Sequence, residues 1–148
     1  MAWCAKLPSD PPYCSGMHVP ESPYVLELPN VLHLATDVTA VAKDPSSLAL
    51  AAALHPSAAV CGTPTVAARE LIAELEHLDR EKYSGPVGWI DARGDGEWAI
   101  ALRCGQISHE DPRQLRLFAG CGIVAGSDPA AELAEAAAKF VPMRESLA

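Results

Sequence analysis

Three side chains near the end of this 148-residue chain have the types and spacing for chemistry: Glu132, Glu135 and Lys139. They stand at i, i+3 and i+7, so on a helix of 3.6 residues per turn they share one face. Two carboxylates one turn apart offer oxygen ligands to a divalent cation, and a lysine a turn further on can meet an anion. Ahead of them Gly120 and Gly122 flank Cys121, and a residue without Cβ lets backbone approach a ligand closely. The same three side chains equally suit a solvated helix face with one ion pair, Glu135 with Lys139. Spacing alone leaves both readings open.

The elements around them are readable. Leu115–Ala119 is strand-like, breaks at Gly120-Cys121-Gly122 and resumes at Ile123-Val124. Asp128 suits a helix N-cap and Pro129 the first helical position, where a missing N–H costs nothing. Upstream, Val25–Val41 is rich in Val, Leu and Thr, interrupted by Pro29, and carries His33 between two leucines. A lone histidine in such a run is more often a satisfied core residue than a catalytic one. Pro45 opens a short helix, Ser46–Leu54. Thr63 is placed to cap a second helix with Pro64 at its first position, running to about Leu78 with Ala67, Leu71, Leu75 and Leu78 as its apolar stripe.

Beyond the polar connection Asp79–Gly85, Pro86–Ala92 and Glu97–Ile107 read as strands. Between them Arg93-Gly94-Asp95-Gly96 is a hairpin signal. Ser108–Arg113 is a further turn. The order is strand, helix, helix, a three-strand meander and a final helix. It implies an α+β layer, a largely antiparallel sheet with helices on one face. Residues 1–24 stand apart: five prolines (Pro8, Pro11, Pro12, Pro20 and Pro23) and no period predict an irregular lead-in before a domain of residues 25–148. Cys14 and His18 are spaced like half a zinc site, but no second pair of ligands accompanies them.

Bulk properties narrow the partners. The length suffices for one domain with a core. The charge of −8, from 11 basic and 19 acidic residues, argues against nucleic acid or an anionic membrane surface. No run approaches the ~18 apolar residues of a membrane span, and no basic-then-apolar leader opens the chain. Five cysteines without a framework spacing read as reduced, structural thiols of a cytoplasmic protein. An anionic substrate would need a local cationic pocket or a bridging metal.

Four stretches together resemble the C-terminal part of the chorismate-utilising enzymes, and isochorismate synthase among them. They are HPSAAVCGTP (His55–Pro64), ELEHLDREKYSGPVGWIDARGDGEWAIALRC (Glu74–Cys104), LRLFAGCGIV (Leu115–Val124) and SDPAAELAEAAAK (Ser127–Lys139). His33-Leu34 also falls where that family carries the same pair. The resemblance implies a partial chorismate-binding-enzyme fold and a Mg²⁺-dependent isomerisation of chorismate to isochorismate, a precursor of siderophore or menaquinone type. It implies Glu135 as a Mg²⁺ ligand, with Glu132 contributing directly or through water. Arg103 and Tyr83 would bind the enolpyruvyl carboxylate, and amides around Gly120 and Gly122 would cradle it. Lys139 would add charge nearby, and His33 and Ala59 would line the ring pocket.

There are departures from the family. Cys121 stands where alanine is usual between the two glycines, Ser57 and Ala58 replace the threonine and proline of an HPTP pattern, and Ala136 replaces a threonine. The family's water-activating lysine, its proton-donating glutamate and another metal-binding glutamate lie in upstream motifs that residues 1–24 do not contain. The resemblance therefore implies the metal and carboxylate clamp without the acid–base pair, and a complementary N-terminal chain as a partner. Anthranilate and salicylate synthases share the clamp, although GWIDARGDGEW with the HP…CGTP loop favours isochorismate synthase. A non-catalytic subunit acting by association is the reading from another class. An exposed apolar face and an unpaired sheet edge are expected where the missing lobe would sit.

Overall fold

A computed structural model of the chain describes residues 11–28, 31–43 and 46–147. Pro29 and Pro45, and the first ten residues of the lead-in, lie outside the described residues. The chain divides into two compact units, one of residues 1–57 and 89–97, the other of residues 58–88 and 98–148.

In the first unit, β1 (Cys14–His18) pairs antiparallel with β4 (Thr39–Ala42), Cys14 opposite Ala42. Cys14–His18 is thus a strand, where the prolines predict irregular chain. Proline cannot donate to a ladder, but the prolines nearest β1 lie at Pro11, Pro12 and Pro20, outside the five residues of the strand. The register slips between Ser15 and His18, and Gly16 sits there at φ 59, a left-handed conformation that glycine adopts without a Cβ clash. β2 (Tyr24–Leu28) and β3 (Val31–Ala35) form an antiparallel pair that sets His33 opposite Leu26. α1 (Ser47–Leu54) begins after Ser46, whose hydroxyl accepts from the Ala49 amide at 3.4 Å.

The second unit holds α2 (Thr65–Glu76), β7 (Cys104–Ile107), β8 (Leu115–Phe118), α3 (Pro129–Lys139) and α4 (Val141–Glu145). α2 starts one residue later than expected. Pro64, extended at φ −67 and ψ 138, is its N-cap, and Thr63 makes no cap; the helix ends at Glu76 with His77 left-handed at φ 48. β7 and β8 pair antiparallel from Cys104 opposite Phe118 to Ile107 opposite Leu115. Their turn is held by Ser108 Oγ, which accepts from the amides of Glu110 and Asp111 at 3.2 and 3.3 Å. α3 begins as its sequence requires: Asp128 accepts from the Ala131 amide at 2.9 Å and Pro129 is the first helical residue.

The hairpin of β5 (Pro86–Ile90) and β6 (Gly96–Ile100) has its tip in the first unit and its base in the second. Its turn closes where expected, with the Asp91 amide donating to the Asp95 carbonyl at 2.8 Å and Gly94 at φ 91. The single long strand predicted for Glu97–Ile107 is interrupted at 101–103, because Arg103 turns the chain at φ 48. The class is α+β with antiparallel pairing, and the strands among the described residues form four two-stranded ladders.

Burial departs from the expected core. Among the described residues only Pro11, Cys14, Ser84 and Phe118 are buried. The α2 stripe is open, with Leu71 53% and Leu75 65% exposed, and Leu133 of α3 is 73% exposed. Helices with an apolar stripe are stable when something covers it. Nothing in the described part of this chain covers these.

Candidate functional site

The second unit contains a cavity of about 430 Å³. It is shaped by the loop before α2, the turn after it, the break between β6 and β7, and the glycine stretch after β8. Ala59, Tyr83, Arg103, Gly120, Gly122 and Lys139, scattered over 81 positions of sequence (59 to 139), all line it.

Each is positioned by a local device. Tyr83 stacks on Phe118 of β8, with ring centroids 5.0 Å apart and 19° between the planes. Phe118 is 8% exposed, so the phenol ring rests on one of the few buried apolar side chains. A Cβ added to Gly120 would come within 3.3 Å of the Tyr83 hydroxyl, so glycine allows this approach. Arg103 projects from a left-handed residue, and the neighbouring Ser84 is also left-handed at φ 66 and buried. Non-glycine residues in that region cost on the order of 1 kcal/mol each and concentrate at ligand sites.

Glu132 and Glu135 sit one turn apart on α3. Ser127 donates to Glu132 Oε1 at 2.6 Å, while its own oxygen accepts from the Val124 amide at 3.1 Å. The Cys121 thiol donates to the Glu132 carbonyl at 3.4 Å. The Ser127 hydrogen bond first, and the nearness of the Cys121 thiol to the carboxyl second, hold the Glu132 carboxyl below the usual carboxylate range. The same proximity to Glu132, followed by desolvation, pushes the Cys121 thiol up. Lys139 Nζ lies 2.6 Å from Glu135 Oε1 and donates to the Gly120 carbonyl at 2.9 Å, tying α3 to the glycine stretch. The i,i+4 pair read from spacing is therefore formed, and its lysine also faces the cavity.

The remaining expectation is His33. It belongs to the first unit, on β3 opposite Leu26, and is partly exposed.

Among the described residues no three His, Cys, Asp or Glu side chains converge as a metal site. Glu132 and Glu135 are two. Mg²⁺ is commonly held by one or two carboxylates with waters and substrate oxygens, so a held, ionised Glu132 beside Glu135 suits that ion as part of a ligand set.

Among the cavity residues that the sequence reading does not single out are Arg80 and Phe118. Arg80 lay in what looked like a polar connection, and its only signal was the i,i+4 spacing from Glu76. Phe118 read as one more apolar strand residue, and its partner Tyr83 is 35 positions away.

The family model for chorismate binding enzymes matches residues 11–148. This chain belongs to the chorismate binding enzyme family. It is 46% identical over 138 residues to isochorismate synthase DhbC of Bacillus subtilis, covering 92% of this chain and 34% of that protein. To the vibriobactin-specific isochorismate synthase of Vibrio cholerae it is 46% identical over 130 residues, 86% of this chain and 32% of that one. The solved structure of DhbC from Bacillus anthracis superposes with a TM-score of 0.85 at 48% identity, covering 92% of this chain and 36% of that chain. The chain thus spans about a third of the length of the relatives it matches. No helix among the described residues is long and apolar enough to cross a membrane.

Proposed function

We propose that this chain supplies the metal and carboxylate clamp of an isochorismate synthase-type site, in which chorismate is isomerised to isochorismate. The observation that carries the proposal is the convergence of Arg103, Tyr83, Gly120 and Lys139 on one cavity, with the Glu132–Glu135 pair tied to it through Lys139 and Cys121. Similarity to isochorismate synthases at 46% identity supports this reaction over those of sister enzymes that use the same substrate.

The clamp answers an electrostatic problem. Chorismate is a dianion and the chain carries −8, so binding needs local positive charge. Arg103 offers a planar fork suited to a carboxylate, and Tyr83 a phenol donor beside the glycine stretch. Ala59 leaves room for the ring. Lys139 keeps Gly120 fixed against α3. Mg²⁺ held by Glu132 and Glu135 would neutralise and polarise a substrate carboxylate.

Isomerisation also needs one group to take a proton from the attacking water and another to protonate the departing hydroxyl. Among the described residues the carboxyl lining the cavity is Glu76, and Arg80 holds both of its oxygens. We therefore assign the acid and base to sequence outside these 148 residues, on the same polypeptide or on a complementary one.

The test is direct. The chain with Mg²⁺ and chorismate should give no isochorismate, since acid and base groups typically contribute on the order of 10²–10⁴-fold each. Supplying the other two-thirds of a family enzyme in trans should restore it. In that completed enzyme Glu135→Gln should abolish turnover while Glu70→Gln, exposed on α2, should not. Anthranilate formed with ammonia, salicylate as product, or efficient turnover by the chain alone would each defeat the proposal.

A further inference from the structure

Arg80 has no role in the clamp as described, yet its half-buried guanidinium joins four parts of the cavity wall. Nε and Nη2 donate to the two oxygens of Glu76 at 2.7 and 2.5 Å, a planar fork-to-carboxylate pair at the end of α2. Nη1 is 3.4 Å from the Val60 carbonyl in the loop before α2 and 3.4 Å from the Ser84 hydroxyl. Cζ stands 5.4 Å from the centre of the Tyr83 ring, within cation–π range. The Tyr83 amide donates to the Arg80 carbonyl at 2.7 Å, so main chain and side chain both hold that residue.

This geometry does not suit a free anion receptor. Glu76 already takes two of the guanidinium's donors and neutralises its charge. What remains in reach is the ring of Tyr83, which is in turn stacked on Phe118. Lysine could keep the charge but could not reproduce the fork, the Val60 contact and the ring contact together.

We propose that Arg80 is a positioning residue, one that fixes the Tyr83 ring against Phe118 and thereby sets the carboxylate-facing wall of the cavity. Its ligand-binding consequence rests on the function proposed above; its structural half does not. Arg80 acts through Tyr83 and does not touch the substrate.

The experiment uses the full 148-residue chain with ¹³C-labelled aromatic rings. Tyr83 and Phe118 signals are assigned with Tyr83→Leu and Phe118→Leu. Arg80→Lys should shift and broaden both ring signals while the β7–β8 amide signals stay in place. Glu76→Gln, which leaves the arginine but weakens its fork, should move the same ring signals less, and it serves as the readout if Arg80→Lys does not fold. A fall in melting temperature with unmoved ring signals would overturn the proposal, since a brace alone would do that.

A second arm titrates chorismate with Mg²⁺. Arg80→Lys should weaken binding about two- to fivefold, the range of an exposed cation–π contact, and should have no further effect in a Tyr83→Leu background. Equal weakening in both backgrounds would mean that Arg80 meets the ligand itself, and the positioning role would fall. If the unaltered chain does not bind chorismate, the function proposed above is contradicted, and the ring signals alone uphold or overturn the role of Arg80.

Discussion

Replacing Lys139 with methionine removes two contacts at once and pushes stability and cation binding in opposite directions. The pair with Glu135 is a surface one, because Glu135 is 56% exposed, and such pairs contribute about 0.5 kcal/mol after screening. The bond to the Gly120 carbonyl is charge-assisted and Lys139 is only 23% exposed, so it contributes about 1.5 kcal/mol. Lys139→Met should therefore cost about 2 kcal/mol, lowering the melting temperature of the 148-residue chain by about 4–8 °C. Glu135→Gln should cost only the surface pair, about 1–2 °C. Cation affinity should separate them by sign. The ammonium 2.6 Å from Glu135 competes with a metal for that carboxylate, so Lys139→Met should strengthen Mg²⁺ binding by this chain and Glu135→Gln should weaken it. Calorimetric titration with Mg²⁺ reads both. Weaker binding by Lys139→Met, or unchanged binding by Glu135→Gln, would refute Glu135 as a ligand that Lys139 shields.

Other consequences are quicker to check. Because Glu132 pushes the Cys121 thiol up, Cys121 should alkylate slowly at neutral pH, with a rate that climbs as pH rises through a range above that of an ordinary thiol. Glu132→Gln should lower that range and speed alkylation at pH 8, read by peptide mass spectrometry; slower alkylation would contradict the assigned cause. His77 closes α2 in the left-handed region, so His77→Gly should stabilise the chain by about 0.5–1 kcal/mol in a melting experiment. With Leu34, Ile123, Val124 and Leu133 each at least 70% exposed, the chain should bind a hydrophobic dye and self-associate in sedimentation; a monodisperse, dye-silent monomer would argue that these surfaces are covered.

The parts of the fold that local chemistry specifies were legible. Asp128-Pro129 marks the start of α3 because side-chain capping and a proline without N–H act within one turn. The hairpin tip at residues 91–95 was readable for the same reason. Thr63-Pro64-Thr65 was misread by one residue because a fixed φ near −65° suits both an N-cap and the first helical position. The strand break at Arg103 had no signal at all. Its φ of 48 falls on an arginine, where sequence reading looks for glycine.

The site was legible in a different way. Spacing offered Glu132, Glu135 and Lys139, but it could not bring Tyr83 to Phe118 or Lys139 to Gly120, contacts 35 and 19 residues long. Only resemblance across several ordered motifs named Tyr83, Arg103 and the glycines together. Nor does the structure choose between the two readings of α3 that spacing left open. The Glu135–Lys139 pair is present, as a solvated helix face requires, and its lysine also reaches the cavity's glycine stretch, as a clamp requires. These are one pair of side chains under two conditions. An ammonium occupies the carboxylate when no cation competes, so forming the pair is no argument against a metal ligand. Whether Mg²⁺ takes Glu135 more readily once Lys139 is gone is what tells the two apart.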